Sequence, residues 1–247
     1  QKVNPIINYR QVKQFEETYS FPFTKTAVSF TGTAGAEVKY ESEKTDPEIQ
    51  VLGVNENFLE NSGLNLESGR EFNIFDISNN SPVAILGSDF AQPESIFKGA
   101  DPTGKTISIR GAKFRVIGVL EKKGSTFGNN QDLRVLIPVQ VARSLFTHPN
   151  ITYNVSVKVD DKEYLEAAQE EAILTFRNIR GLSPVEENNF GLQRSDDLIN
   201  RIFQITSYLN FAAWIISVIT IFGSSIALMN IMLVSVTERT RTIGVRK

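Results

Sequence analysis

The 247-residue sequence has no cysteine, which excludes disulfides, thiolate nucleophiles and thiolate metal sites together and is compatible with an oxidising compartment. Histidine is nearly absent as well. The one copy, His148, sits in the turn-like run Thr147-His148-Pro149-Asn150, so no histidine cluster, metal site or Ser-His pairing can be assembled. Neither sign of charge dominates: 26 basic against 28 acidic side chains give a net charge of -2. The last ten residues carry four basic groups against Glu238, a local +3, so the other 237 residues hold -5. A mildly acidic body argues against nucleic acid as a partner. The first residue is Gln1, and no charged segment followed by an apolar stretch opens the chain. The expectation is a start truncated at Gln1 and an end, at Arg246-Lys247, that is equally abrupt.

The most informative absence is local. Mean hydropathy is only -0.15, yet from Ile202 to Thr237 there is no Asp, Glu, Lys or Arg, a run of 36 residues. About 20 apolar residues cross a hydrocarbon core of roughly 30 Å, so the run reads as a spanning helix with turns to spare. A buried core helix is the alternative, but soluble helices rarely stay uncharged over this length. The basic cluster after Val236 should stay cytoplasmic, which puts residues 1–200 outside, in the periplasm or its equivalent. Gly223 with Ala227, and Ala213 with Ser217, form small pairs four apart that let another helix approach in lipid. Asn230 adds a polar group at membrane depth, better matched by a helix partner than by lipid. Ser195-Asp196-Asp197 reads as a helix start, and Leu198, Ile202, Ile205 and Leu209 follow at helical spacing. One helix is therefore expected from Ser195 through the membrane, uninterrupted until Gly223, with its first turns forming a rigid stalk.

The body alternates β-formers and breakers. Helices are expected over Asn8 to Tyr19, Phe58 to Leu64 and Lys162 to Arg177. Strands are expected over Lys25 to Thr33, Ala36 to Glu41, Glu48 to Val54, Pro82 to Leu86, Thr106 to Arg110, Val135 to Pro138, Tyr153 to Val159 and Phe190 to Arg194. Gly69 to Phe72 reads as a turn, and Lys113 to Leu120 as the second arm of a hairpin closed at Gly111-Ala112. The resulting fold class is α+β, in two extracytoplasmic lobes followed by the long helix. Residues 1–54 and 151–194 form one lobe with a β-α-β unit, 55–150 an inserted β-rich lobe, 195–237 the stalk and membrane helix, and 238–247 the start of a cytoplasmic segment.

One motif invites the wrong conclusion. Gly99-Ala100-Asp101-Pro102-Thr103-Gly104-Lys105-Thr106 matches the phosphate-cradling loop of nucleotide hydrolases letter for letter. That loop needs a strand before it and a helix after it, because the helix N-terminus supplies amides and a positive dipole end. Here Pro93 to Lys98 looks like a helical turn, and Ile107 to Arg110 alternates like a strand. Gly99, Gly104, Lys105 and Thr106 are therefore read as a turn into a hairpin. The acidic pairs Asp160-Asp161 and Glu186-Glu187 lie in loop-like contexts where solvated charge is the default. No catalytic constellation emerges.

The run from Ile226 to Lys247 resembles the second membrane helix and coupling segment of the MacB/FtsX family of ABC-transporter permeases. Leu66 to Phe72, Val83 to Gly87, Asp101 to Ile107 and Phe114 to Val119 resemble that family's extracytoplasmic domain, in order. The resemblance implies a four-helix permease used as a dimer with a second copy or paralogue, with the outer domain between its first two helices. The outer lobe with the β-α-β unit would be porter-like. An ABC ATPase subunit would hold the ATP and magnesium, leaving no cofactor in this chain. It also implies mechanotransmission, in which stalk helices carry motion from the ATPase to the outer domain. Efflux or export of a peptide, drug or lipoprotein is one use, with a periplasmic adaptor and an outer-membrane channel as partners. An FtsX-like regulator that activates a cell-wall hydrolase, or signals without transport, is the alternative. A soluble nucleotide hydrolase with a sticky tail is the third reading, and it predicts ATP binding by the body. On the family pattern, Glu238, Arg239, Arg241, Ile243, Gly244, Arg246 and Lys247 would contact the ATPase; from charge alone they could equally anchor at lipid headgroups.

Overall fold

The computed structural model describes residues 4–126, 129–130, 132–147 and 151–244. They fall into two compact units, Gln1–Phe190 and Gly191–Lys247.

The first unit is built on one ten-stranded mixed sheet. Helix α1 (Tyr9–Thr18) starts on a capping box, in which Asn8 Oδ1 accepts from the Gln11 amide and Gln11 Oε1 accepts from the Asn8 amide. Then come β1 (Thr24–Ala36), β2 (Val38–Tyr40), β3 (Glu43–Lys44), β4 (Ile49–Val54), α2 (Phe58–Asn61), β5 (Leu66–Gly69), α3 (Ile74–Ser78) and β6 (Val83–Leu86). After a 3-10 turn over Ser88–Ala91 follow β7 (Thr106–Ile109), β8 (Ala112–Leu120), β9 (Ser125–Thr126), β10 (Asn129–Asn130), β11 (Arg134–Pro138), α4 (Val139–Leu145) and β12 (Asn154–Val159). A 3-10 turn over Lys162–Tyr164 leads into α5 (Leu165–Arg180), which ends on Gly181 at φ 65 in the left-handed conformation suited to a helix C-terminus. The strand order is β12-β1-β4-β11-β6-β8-β7-β2-β3, with β5 paired to β8. The pairs β4–β11 and β6–β8 are parallel and the other ladders antiparallel.

Strand periodicity explains why the middle of the sheet is buried on both faces. Val51 of β4, Ala84 and Leu86 of β6, and Val135 and Ile137 of β11 point into one cluster, which includes Val12 of α1 and Ala142 of α4. Their neighbours Val54, Val83, Ile85 and Leu136 point into the opposite cluster, with Leu59 of α2 and Phe72. A third cluster joins Phe15 and Tyr19 of α1 to Phe176 of α5 against Val155 and Val157 of β12. Hydrogen bonding runs without a break from β4, in the segment 1–54, to β11, in the segment 55–150.

Most expected elements are present, and three details differ. The β7–β8 turn is Arg110-Gly111, with Ile109 paired to Ala112, one residue earlier than expected. Arg110 and Gly111 both have positive φ, 50 and 85, the primed hairpin turn whose twist matches the flanking strands. Gly69 closes a strand, β5, rather than opening a turn. The expected strand at Phe190 to Arg194 does not form. Instead the Phe190 ring packs edge-on against Phe176, with centroids 4.8 Å apart, which ties it to α5 rather than to a ladder.

The second unit is a single helix, α6 (Ser195–Gly244), 50 residues long. Ile202–Thr240 is a candidate membrane span by length and composition, 39 residues with mean hydropathy 2.1, none of it buried within the protein. Gly223 does not break it, since one Gly in a helix interior costs only about 1 kcal/mol. The hydroxyls of Ser217, Thr220, Ser224 and Ser225 each donate back to the carbonyl four residues earlier, which satisfies them within the helix itself.

Candidate functional site

The residues assigned to ATPase contact lie on the last turns of α6. Glu238 and Arg239 are exposed, and the backbone stays helical through Arg241, Ile243 and Gly244. Arg246 and Lys247 lie outside the described residues, as does His148. The basic end thus continues the apolar helix without a break in the backbone, at a rise of about 1.5 Å per residue.

In the first unit, the stretch with the phosphate-loop letters does not fit a phosphate. It leads into β7, a strand. The Gly104 amide donates to Val116 O and the Val116 amide to Lys105 O, at 2.8 Å each, so the loop is stitched to β8. Asp101 Oδ1 accepts from the Thr103 amide at 2.9 Å and from Ser68 Oγ at 3.3 Å. Lys105 Nζ lies over the rings of Tyr40 and Phe97, 5.3 and 5.2 Å from their centroids. Gly99 and Gly104 take φ of 78 and 82, turn conformations that favour glycine.

Two features that went unread in the sequence stand out. The first is a short apolar tip. Ile74 and Phe75 of α3 are 61% and 69% exposed, while the helix start beneath them is held firmly. Asn73 and Asp76 cap each other's amides, and Arg70 grips Asp76 with two bonds of 2.6 and 3.1 Å. The Arg70 guanidinium holds the Asp76 carboxyl below its ordinary range, helped by the Asn73 amide and opposed by burial. The pattern Asn73-x-x-Asp76 was available as a capping signal. The second is an aromatic group at the start of β1: Phe21 and Phe23 meet Tyr164, and Phe23 has φ 58. No sequence signal reports such a backbone. Of the two acidic pairs, Asp160 and Asp161 border this group, and Glu186 Oε2 accepts from the Ser183 amide at 2.6 Å. Among the described residues no group of three or more His, Cys, Asp or Glu side chains could hold a metal.

A family model for the MacB-like periplasmic core domain matches residues 2–173. The chain belongs to that family. The match covers the first unit up to the middle of α5, and α6 lies beyond it. Among curated relatives, the macrolide export ATP-binding/permease protein MacB of Neisseria gonorrhoeae is 29% identical over 224 residues, covering 91% of this chain and 33% of the relative. The uncharacterized ABC transporter permease YknZ of Bacillus subtilis is 29% identical over 209 residues, covering 85% of this chain and 50% of the relative. The chain thus spans a third to a half of these relatives' length. Among solved structures, the periplasmic region of MacB from Actinobacillus actinomycetemcomitans superposes with a TM-score of 0.62 at 18% identity, over 81% of this chain and 90% of that one. That likeness establishes the core domain fold, and the matches agree with the resemblance carried by the body motifs.

Proposed function

We propose that this chain supplies the extracytoplasmic domain and a membrane helix of an ABC permease of the inner membrane, with residues 1–200 outside and the Glu238 end in the cytoplasm. There it meets an ABC ATPase that holds ATP and magnesium, and a second permease copy or paralogue completes a dimer. Movement driven by the ATPase travels along α6 to the core domain, which acts on a peptide, drug or lipoprotein for export, alone or with a periplasmic adaptor and outer-membrane channel. The observation that carries the reading is one chain joining a MacB-like core domain to a 50-residue helix with an uncharged centre and a basic end. Residues 1–54 with 151–194 and the inserted 55–150, which share one sheet, are proposed to move together as one body.

The test is reconstitution of the whole permease with its ATPase in nanodiscs, with spin labels on the two outer domains. ATP should change the label distance, and Arg239→Glu should remove that change while the ATPase alone keeps its basal turnover. An unchanged response in Arg239→Glu refutes coupling through this segment.

A further inference from the structure

Phe23 is 64% exposed and holds φ 58. A bulky side chain enters that left-handed region only at a cost of about 1–3 kcal/mol, which a stack on one neighbouring ring, worth about 0.5–1.5 kcal/mol, does no more than offset. Glycine would relieve the backbone, and any polar residue the exposure. The surroundings nevertheless fix the conformation. The Asp160 amide donates to Phe23 O at 3.0 Å, Thr24 Oγ1 donates to Phe21 O at 2.7 Å, and the ladder with β12 begins at once, Thr24 opposite Val159. The Phe23 ring lies nearly parallel to Tyr164, with centroids 5.7 Å apart and planes 19° apart, while Phe21 meets Tyr164 edge-on at 6.4 Å. Tyr164 is itself 41% exposed. The result is a rigid aromatic platform open to solvent.

Charge beside the platform is one-sided. Residues 160–166 carry four carboxylates, Asp160, Asp161, Glu163 and Glu166, against Lys162. Of the nearby cations, Lys25 is held by Glu60 at 2.6 Å, and Lys158 is shared between Glu60 at 3.0 Å and Asp160 at 3.6 Å, so Asp160 is partly balanced and the excess rests on Asp161, Glu163 and Glu166 against Lys162. Aromatic faces carry negative potential, so rings and carboxylates favour the same guest, a cation with a flat apolar body. Guanidinium fits that description better than ammonium, because it stacks on a ring and pairs with a carboxylate at once. The platform occupies one end of a helix of the first unit. It sits at the Leu165 end of α5, whose 16 residues span about 24 Å. At the far end, Arg180 donates to Pro5 O and Ile6 O, and Phe190, after which the chain leaves the unit, packs on Phe176.

We propose that the Phe23–Tyr164 platform docks an arginine-bearing segment of a partner protein. The site lies wholly within the core domain and does not depend on ATP coupling. The test uses the full chain in nanodiscs of neutral lipid, with empty nanodiscs as the blank. The probe is a fluorescein-labelled nonapeptide of alternating arginine and glycine, with a glutamate-glycine peptide for comparison, followed by fluorescence anisotropy. The arginine peptide should bind and the glutamate peptide should not. Phe23→Gly and Tyr164→Ala, which leave the charge unchanged, should each weaken binding about 3- to 30-fold, the range of a cation–π contact. Phe23→Gly should do so with an equal or higher Tm, since it relieves the backbone. Asp160→Asn with Asp161→Asn should flatten the salt dependence. No binding to the wild type, or equal binding to Phe23→Gly and Tyr164→Ala, overturns the proposal. A marked fall in Tm for Phe23→Gly overturns it too, by showing that the ring serves folding.

Discussion

Removing the carboxyl of Asp76 should cost far more than its place in a five-residue helix suggests. Its side chain is 9% exposed, receives two bonds from Arg70, and caps the Asn73 amide at 3.0 Å. The Arg70 side chain is 51% exposed, so solvent screens the pair, and about 1 kcal/mol is a fair allowance for it. Loss of the cap adds about 1 kcal/mol. Asp76→Ala should therefore destabilise the first unit by about 2 kcal/mol, which in a unit of this size lowers Tm by roughly 4–8 °C. Asp76→Asn keeps an oxygen for the cap and should lose about half as much. The pH dependence fixes the sign. The folded carboxyl titrates below its ordinary value of 3.8, chiefly because of the Arg70 guanidinium. Its contribution is therefore complete above that value and disappears as pH falls through the lower, folded one. The gap between wild type and Asp76→Asn should hold steady at neutral and mildly acidic pH and close only in strong acid. Calorimetry of the full chain in detergent, following the core-domain transition, reads both quantities. Glu60→Gln is the control: Glu60 also titrates low, because of Lys25 and then Lys158, but it lies at the surface. If Asp76→Ala shifts Tm no more than Glu60→Gln, or the gap ignores pH, the account of this helix start is wrong.

Three other outcomes can be checked. Gly87→Ala places a methyl 2.1 Å from Asp132 O and 2.7 Å from its carbonyl carbon, backbone atoms that cannot step aside, so a loss of about 3 kcal/mol or more should appear as poor folding yield. Burial raises the Glu16 carboxyl above 4.5, although Asn55 donates to it. Its protonated form is the one that favours folding, and that stability disappears as pH rises through the folded value, so Glu16→Gln should raise Tm at pH 7 and lose the advantage in acid. The stretch has no cysteine to remove, so single cysteines at Ser183 and Thr242 can map topology directly. An impermeant maleimide added to intact cells should label the first and not the second, and the reverse pattern would overturn the orientation.

The parts legible in the sequence were those where one physical demand acts alone. Near-continuous apolar runs in Ile49 to Val54 and Val83 to Leu86 reported strands because both sheet faces are covered. The uncharged run announced α6 because lipid tolerates little else. What was missed depended on competing demands. Val139–Leu145 opens with Val139 and Val141 directly after a strand, yet it follows Pro138 as a helix that buries Val139 and Ala142. Phe190 looked like a strand residue, and a ring contact with Phe176 claimed it instead. The pairings β4–β11 and β6–β8 join residues far apart in the chain, and no local pattern encodes them.

The same distinction separates the two proposed surfaces. The Glu238 to Lys247 end is proposed as an ATPase contact on resemblance alone, since charge fits a lipid anchor as well as a protein contact. The Phe23 platform was invisible because its signature is a backbone angle. Yet it is a place where local preference and observed conformation disagree: a bulky ring, exposed, at positive φ, bordered by a net excess of carboxylates. Sequences usually agree with their folds at every level, so a disagreement fixed this firmly by Asp160, Thr24 and Tyr164 points to selection for something other than stability. An exposed ring that opposes folding is retained only if a guest uses it, which is why Phe23→Gly, expected to bind worse and melt no lower, is the variant that decides the matter.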